Sequence, residues 1–268
     1  MVSGDTGSMA SAALASTARA ALIIPALNEE PVLGRTLCAI PEGLFEVVIV
    51  ADNGSTDRTA EVARAGGAMV VSEPERGYGA ACLKALAALS AGIDVVVFMQ
   101  ADMSEDPAEA RRLIEPIARG EADLALGSRT LGGAKAGALL PHQVFGNWLA
   151  TVLIRLLYAH RYSDIGGFRA IRREALERLG MQERNYGWTI EMQVRALEKG
   201  LRVAELPVSY RRRAAGVNKV SGNLRASLRA GGVILGTVLR LWWRRRQGSR
   251  ALRATRPTGA GPAARAGR

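Results

Sequence analysis

The sequence predicts an α/β fold: a single, mostly parallel sheet flanked by helices, followed by a C-terminal amphipathic helical segment and a basic tail. Three observations carry this. Strand-like apolar runs alternate with helix-like stretches from residue 21 onward. The runs are continuously apolar, as in Val47-Val-Ile-Val-Ala51 and Val95-Val-Val-Phe-Met99, which marks a sheet buried on both faces. The connections are short, as βαβ units require.

Taken in order, residues 1–20 are rich in Ala, Ser, Gly and Thr. They lack the cationic start and apolar centre of a signal peptide and read as a flexible leader. Residues 21–25 form a short strand ended by Pro25. Residues 46–51 and 94–100 are the clearest strands, and 68–72 and 122–127 are further ones. Between them, 30–40, 56–65, 79–89 and 107–119 carry helical patterning. The last begins with Asp106 as N-cap and Pro107 at the first helical position. Residues 131–143 are Gly-rich. Residues 144–159 place Phe145, Trp148, Leu149, Val152, Leu153, Leu156 and Leu157 at helical spacing, a stripe expected to face the core rather than a membrane. Residues 188–199 are a further helix and 201–210 a last strand. Residues 21–222 thus make one domain, 223–246 an amphipathic helical segment, and 247–268 a disordered basic tail.

Composition excludes several function classes. Two cysteines, Cys38 and Cys82, form no CxxC pair, and there are two histidines, so neither a disulfide scaffold nor a Cys- or His-built metal centre is expected. The net charge is +11, but it is unevenly placed. From Leu206 on there are 15 Lys/Arg and no Asp or Glu, so the first 205 residues hold 21 basic against 25 acidic groups. An acidic-to-neutral body with a cationic end suits an anionic partner at that end and not a nucleic-acid-binding domain. The best apolar run, residues 230–239, lies between Arg229 and Arg240 and is far short of the ~20 residues a spanning helix needs. A cytoplasmic location is expected, with peripheral association at the inner membrane face.

In an open α/β sheet, ligands bind beyond the C-terminal strand ends. Four polar clusters follow strands directly: Pro25-Ala-Leu-Asn-Glu29, Asp52-Asn-Gly-Ser-Thr-Asp57, Gln100-Ala-Asp102 and Gly127-Ser-Arg129. Together they describe a binding crevice. Alone, the second is equally a turn with a helix cap.

These clusters, in this order, resemble glycosyltransferase family 2 with its GT-A nucleotide-sugar-binding fold, and within it the dolichol-phosphate-mannose synthase-like group. The family's Pro-x-x-Asn-Glu is met by Pro25 to Glu29, and its Asp-Asp-Gly-Ser-Thr-Asp by Asp52 to Asp57 with Asn53 in second place. Gly77-Tyr-Gly79, Gly127-Ser-Arg129 with Gly133, Gly167-Phe-Arg169 and Arg213-Ala-Ala-Gly216-Val-Asn218-Lys219 follow in the family's order. The resemblance covers residues 21–221, about three quarters of the chain.

The resemblance implies an inverting transfer of a sugar from a UDP- or GDP-linked donor to a polyprenyl phosphate. Pro25, Leu27 and Glu29 would line the nucleobase and ribose, and Asp52 would accept a base N–H. Asp102, with Gln100, would hold Mg²⁺ or Mn²⁺ against the diphosphate. Arg129, Arg213 and Lys219 would neutralise phosphate oxygens. Glu191 stands where relatives keep a catalytic carboxylate; it is either a general base, a group fixing a helix N-terminus, or an arginine's partner. Gln100 replaces the first carboxylate of the family's Asp-x-Asp, so metal binding should lean on Asp102, substrate phosphates and Asp106. Residues 223–246 would bind an anionic membrane surface, or fold back and bury Trp242 and Trp243. Two other functions remain open: transfer to a soluble metabolite or glycan, and nucleic-acid binding through the tail.

Overall fold

The computed structural model describes residues 18–135, 137–214 and 224–254. Among them, seven strands form one sheet in the order β3-β2-β1-β4-β6-β5-β7. The strands are β1 (Ala20–Ala26), β2 (Val47–Asp52), β3 (Met69–Ser72), β4 (Val95–Phe98), β5 (Leu124–Ser128), β6 (Arg169–Arg172) and β7 (Val203–Pro207). All neighbouring pairs are parallel except those that β6 makes with β4 and β5. The sheet is therefore mixed and mostly parallel, as expected.

The continuous apolar runs do what they imply: successive residues enter opposite cores. From β1, Leu22 and Ile24 pack with Leu33, Leu37, Leu113 and Ile117 on one face. Ala21 and Ile23 pack with Ala81, Ala85, Trp188 and Ile190 on the other. The first core is closed by α1 (Glu30–Cys38), α2 (Thr59–Ala65) and α4 (Ala110–Ala118, entered through a 3₁₀ turn at Pro107–Glu109). The second is closed by α3 (Tyr78–Ala87), α5 (Pro141–Tyr158), α6 (Arg173–Leu179), α7 (Trp188–Glu198) and part of α8 (Leu224–Ala254). Asp106 caps the 3₁₀ turn, its carboxylate accepting the Ala108 N–H at 3.1 Å.

Several elements differ from the sequence expectation. Strand β6 and helix α6 have no counterpart in the sequence pattern, where Gly167-Phe-Arg169 stands only as a motif. Helix α8 continues past Arg246 to Ala254. The stripe on α5 is divided: Leu153 and Leu157 pack against the core, and Phe145, Trp148 and Leu156 do not. Ala150 and Ile154 are the buried positions of this helix, whereas Phe145 and Trp148 are 60% and 55% exposed and Leu156 is 75% exposed. Helical spacing defines a face, and here Ala150, Leu153, Ile154 and Leu157 face the core while Phe145, Trp148 and Leu156 lie on the exposed side.

Helix α8 folds against α5 and α7. Val238 and Leu241 are buried, Trp242 is half-buried and Trp243 stays exposed. So this helix both packs on the domain and keeps an aromatic outside. No helix among the described residues is long and apolar enough to cross a membrane.

Candidate active site

The C-terminal ends of β1, β2, β4, β5 and β7 open at one edge of the sheet, because only β6 runs the other way. All four polar clusters meet there, joined by the segment after β7.

The turns after β1 and β2 are stitched together. Asn28 takes a left-handed conformation (φ 49°). Its N–H donates to Ser55 Oγ at 2.9 Å, and its Oδ1 accepts the Thr56 N–H at 2.7 Å. The Glu29 N–H donates to Thr59 Oγ1 at 2.7 Å. Asp57 serves two helices at once, accepting the Thr59 N–H of α2 and the Glu30 N–H of α1. Turn and cap chemistry thus occupy Ser55, Thr56 and Asp57. Asp52 is different: one oxygen accepts the Ser55 N–H at 3.1 Å, and the other has no partner among the described residues. Pro25, near the end of β1, and Leu27, on the turn that follows it, are half-buried.

Asn53 is fully used. Its amide N donates to the carbonyls of Glu73 (3.0 Å) and Glu75 (2.7 Å), and its Oδ1 accepts the Gly77 N–H (2.8 Å). An aspartate could make only the last of these bonds. Asn53 thereby holds the loop between β3 and α3 against the Asp52 turn. Arg76 of that loop was passed over in the sequence. It is exposed, and its Nε lies 3.5 Å from where a Cβ on Gly54 would be. Gly77 and Gly79 carry no cradle for a phosphate here. A side chain on either would run into the backbone of Glu183 and Arg184, whose segment lies on the start of α3.

At the end of β4, Asp102 is 4% exposed. Its Oδ1 accepts the Ser104 N–H at 3.0 Å and the Ser104 hydroxyl. Its Oδ2 faces Arg213 Nη1 at 3.2 Å, while Arg213 Nη2 pairs with Glu29. One guanidinium therefore bridges carboxylates from two strand ends. The backbone follows: the Arg211 N–H donates to the Ser104 carbonyl (2.8 Å) and the Ala214 N–H to that of Asp102 (3.1 Å).

Gln100 is half-buried, its side-chain amide beside Gly167. Its N–H donates to Glu105 Oε2 at 2.8 Å. Glu105 is a second group the sequence reading missed. Burial pushes its carboxyl up to about 8, with the charge of Asp102 adding to the shift and the Gln100 N–H, Arg129 and Arg169 opposing it. Nothing in its spacing gives it away, since three neighbours, Ser104, Asp106 and Asp102, are equally polar. Among the described residues no cluster of three or more His, Cys, Asp or Glu could hold a metal ion. The donors beside Asp102 are oxygens, which suit a hard divalent cation, and the Glu29–Asp102 pair already takes up a positive charge from Arg213. These residues fit a cation completed by substrate oxygens, with Asp102 as its carboxylate.

Arg129, after β5, is held by Asp164: Nε to Oδ2 at 2.8 Å, Nη2 to Oδ1 at 2.7 Å, and its backbone N–H to Oδ2 at 2.8 Å. The Tyr210 ring lies 5.2 Å from its guanidinium carbon. Arg169 of β6 is wholly buried and donates to the carbonyls of Thr189 and Gly166, and burial lowers its pKa to about 10.

Glu191 is not brought to this group. It is 2% exposed; its Oε2 accepts the N–H groups of Gln182 (3.0 Å) and Glu183 (2.7 Å), and its Oε1 pairs with Arg195 at 2.9 Å. Its contacts tie the loop before α7 to that helix and make it the partner of Arg195. Asp106 caps the 3₁₀ turn and pairs with Arg211. Lys219, Gly216 and Asn218 lie outside the described residues.

A mixed sheet with acidic and basic groups gathered where β1, β2 and β4 end is the arrangement of the GT-A glycosyltransferases. The match to Glycosyl transferase family 2 extends over residues 21–180, and the chain belongs to that family. It is 42% identical over 214 residues to an uncharacterized glycosyltransferase of Mycobacterium tuberculosis, covering 77% of this chain and 92% of the relative. It is 32% identical over 232 residues to the polyprenol monophosphomannose synthase of Mycolicibacterium smegmatis, covering 79% and 85%. Its fold matches glucosyl-3-phosphoglycerate synthase of Mycobacterium tuberculosis, solved with Mn²⁺, UDP and glucosyl-3-phosphoglycerate, with a TM-score of 0.70 at 24% identity over 90% of this chain and 86% of that one. The protein is thus a glycosyltransferase.

Proposed function

We propose that this enzyme transfers a sugar from a UDP- or GDP-linked donor to a polyprenyl phosphate at an anionic membrane surface, with inversion at the anomeric carbon. The observation that carries the reading is the convergence of Asp52, Glu29, Asp102 and Arg213 on one sheet edge, in a chain akin to a polyprenol monophosphomannose synthase. Asp52, with one carboxylate oxygen still open, accepts the ring N–H that uracil and guanine both present beside a carbonyl. Pro25 and Leu27 flank the base, and Glu29 the ribose. Arg213 and Lys219 neutralise donor phosphates. Arg129, with Nε and Nη2 committed to Asp164, offers Nη1 to an acceptor phosphate.

Asp102 and the Gln100 amide would hold Mg²⁺ or Mn²⁺, which when bound supplies Lewis-acid stabilisation to the leaving diphosphate. An acceptor phosphate is ionised near pH 7 and attacks without a base. That agrees with Glu191, whose oxygens are taken by backbone N–H groups and Arg195. One bond forms from phosphate oxygen to the anomeric carbon as the bond to the nucleoside diphosphate breaks, which inverts that carbon.

Thermal stabilisation by a panel of nucleotide sugars, with and without Mn²⁺, tests the donor. A true donor at 100 times its Kd adds about 2.7 kcal/mol. No stabilisation by any UDP- or GDP-sugar would reject it. Radiolabelled transfer to short-chain polyprenyl phosphate against soluble acceptors then tests the acceptor; turnover on soluble acceptors alone would replace the lipid with a metabolite or glycan.

A further inference from the structure

We infer that Arg213 is an internal cation that shuts Asp102 to a divalent metal until a nucleoside diphosphate draws the guanidinium away. The inference rests on the donor reading above and adds an order of events to it.

The geometry isolates one oxygen. Asp102 Oδ1 is already committed to the Ser104 N–H and hydroxyl. Only Oδ2 is left for a cation, and Arg213 Nη1 stands 3.2 Å from it. The same guanidinium reaches Glu29 with Nη2. Both carboxylates are more than nine-tenths buried, and the Arg213 side chain is 17% exposed. Two backbone bonds, from the Arg211 N–H to the Ser104 carbonyl and from the Ala214 N–H to that of Asp102, keep the Arg213 backbone beside Asp102.

The electrostatics give the order. Two buried carboxylates at one edge repel unless a cation lies between them, and removing that cation leaves uncompensated buried charge. A divalent ion arriving alone must therefore displace a guanidinium that bridges both carboxylates. A diphosphate changes this, because guanidinium pairs with phosphate oxygens at least as well as with carboxylates. With Arg213 transferred to the diphosphate, Asp102 Oδ2 is opened at the moment when phosphate oxygens arrive to complete the metal's shell. Metal and nucleotide then strengthen each other's binding, and part of that coupling passes through Arg213.

The test titrates full-length protein with Mn²⁺ in the absence of nucleotide, reading free Mn²⁺ by electron paramagnetic resonance. Arg213→Gln should bind Mn²⁺ about tenfold or more tightly than wild type. Adding Asp102→Asn should abolish the gain, and Arg213→Lys, which keeps the charge, should stay near wild type. UDP or GDP should raise the Mn²⁺ affinity of wild type more than that of Arg213→Gln, while Arg213→Gln binds the nucleotide itself less well. A residue of purely structural importance would weaken both ligands together. Because Arg213→Gln exposes two carboxylates to each other, its melting temperature is read as well; Mn²⁺ should raise it more than it raises that of wild type. Mn²⁺ affinity and Mn²⁺-induced stabilisation at or below wild type in Arg213→Gln would overturn the inference, as would a gain that survives the loss of Asp102. The Mn²⁺-only titration needs no nucleotide. A wild type that binds neither UDP nor GDP therefore defeats the proposed donor, and the metal data still judge Arg213.

Discussion

Arg129 and Asp164 form a closed two-point ion pair at the end of β5, with Nε–Oδ2 at 2.8 Å and Nη2–Oδ1 at 2.7 Å. The aspartate side chain is 2% exposed and the arginine 14%. Burial opposes the arginine's charge, but the paired carboxylate more than offsets it and raises its pKa above the usual range. Desolvated pairs of this kind are costly to break and add little net stability as a pair. Arg129→Ala should therefore destabilise the fold by about 3–5 kcal/mol, because it strands Asp164. The apolar double variant Arg129→Met with Asp164→Leu should lose less than the single. Thermal denaturation of the two singles and the double checks this. Additive losses would mean that the pair is not coupled.

Asn53 offers a sharper contrast with Asp52. Asn53→Asp is nearly isosteric, yet it replaces two N–H donors to carbonyl oxygens with a negative charge. Loss of about 2–3 kcal/mol is expected, together with weaker nucleotide binding as the loop from Glu73 to Gly77 loosens. Asp52→Ala gives up only the Ser55 bond, so it should melt within about 1 kcal/mol of wild type and fail to bind nucleotide. Denaturation paired with calorimetric titration distinguishes them. Unchanged affinity in Asp52→Ala removes that residue from the site.

A pH dependence follows from Asp123, at the opposite end of β5. Its carboxylate takes the Arg202 N–H, Nε and Nη2 at 3.0, 3.1 and 2.8 Å. Hydrogen bonding to Arg202 holds its pKa down at about 2, against an ordinary 3.8. A depressed carboxylate stabilises the fold above its ordinary pKa, and the contribution fades as pH falls through the folded value. Arg202 is half exposed, so screening keeps the effect near ~1 kcal/mol. Asp123→Asn should melt below wild type at pH 7, and the difference should shrink toward zero near pH 2. A difference that is constant with pH would assign the effect to packing.

Much of this architecture was legible because burial on both faces leaves continuous apolar runs, as in β1, β2 and β4. Strand β6 was not, since Arg169-Ala-Ile-Arg172 has the composition of a surface segment. Arg169 is buried only because carbonyls of Thr189 and Gly166 receive its guanidinium. The site divides in the same way. Asp52, Asp102 and Arg129 could be found from their places after strands. The partnership of Arg213 with Glu29 spans 184 positions, and no local pattern encodes it. Glu105 is set apart from its polar neighbours only by a burial that three-dimensional packing creates. The stripe on α5 was misassigned for a related reason: periodicity shows that a helix has two faces, but not which one the rest of the chain covers.

That uncovered stripe carries the last prediction. Val144, Phe145, Trp148 and Leu156 on α5, and Leu239 and Trp243 on the adjoining α8, are all exposed. The chain has no Asp or Glu from residue 131 to 163, nor from 206 to its end, while Arg155, Arg240 and Arg244 to Arg246 are exposed beside the stripe. Apolar side chains flanked by Arg155 and Arg244 to Arg246, with Arg240 paired to Glu183, suit an anionic lipid interface, where aromatic rings sit at the boundary and each cation adds about 1 kcal/mol, screened by salt. Asn147 of the same helix accepts the Ile165 N–H at 2.9 Å, next to Asp164, so a lipid held by α5 would lie close to Arg129. Full-length protein should float with anionic vesicles at low salt and be released at high salt. Phe145→Ser with Trp148→Ser should cut the bound fraction about tenfold or more, the size expected for two aromatic side chains of buried area, without changing the melting temperature. Flotation unaffected by the pair would move the contact to α8 alone. Wild type that stays off anionic vesicles at low salt would end the membrane role and favour a soluble acceptor.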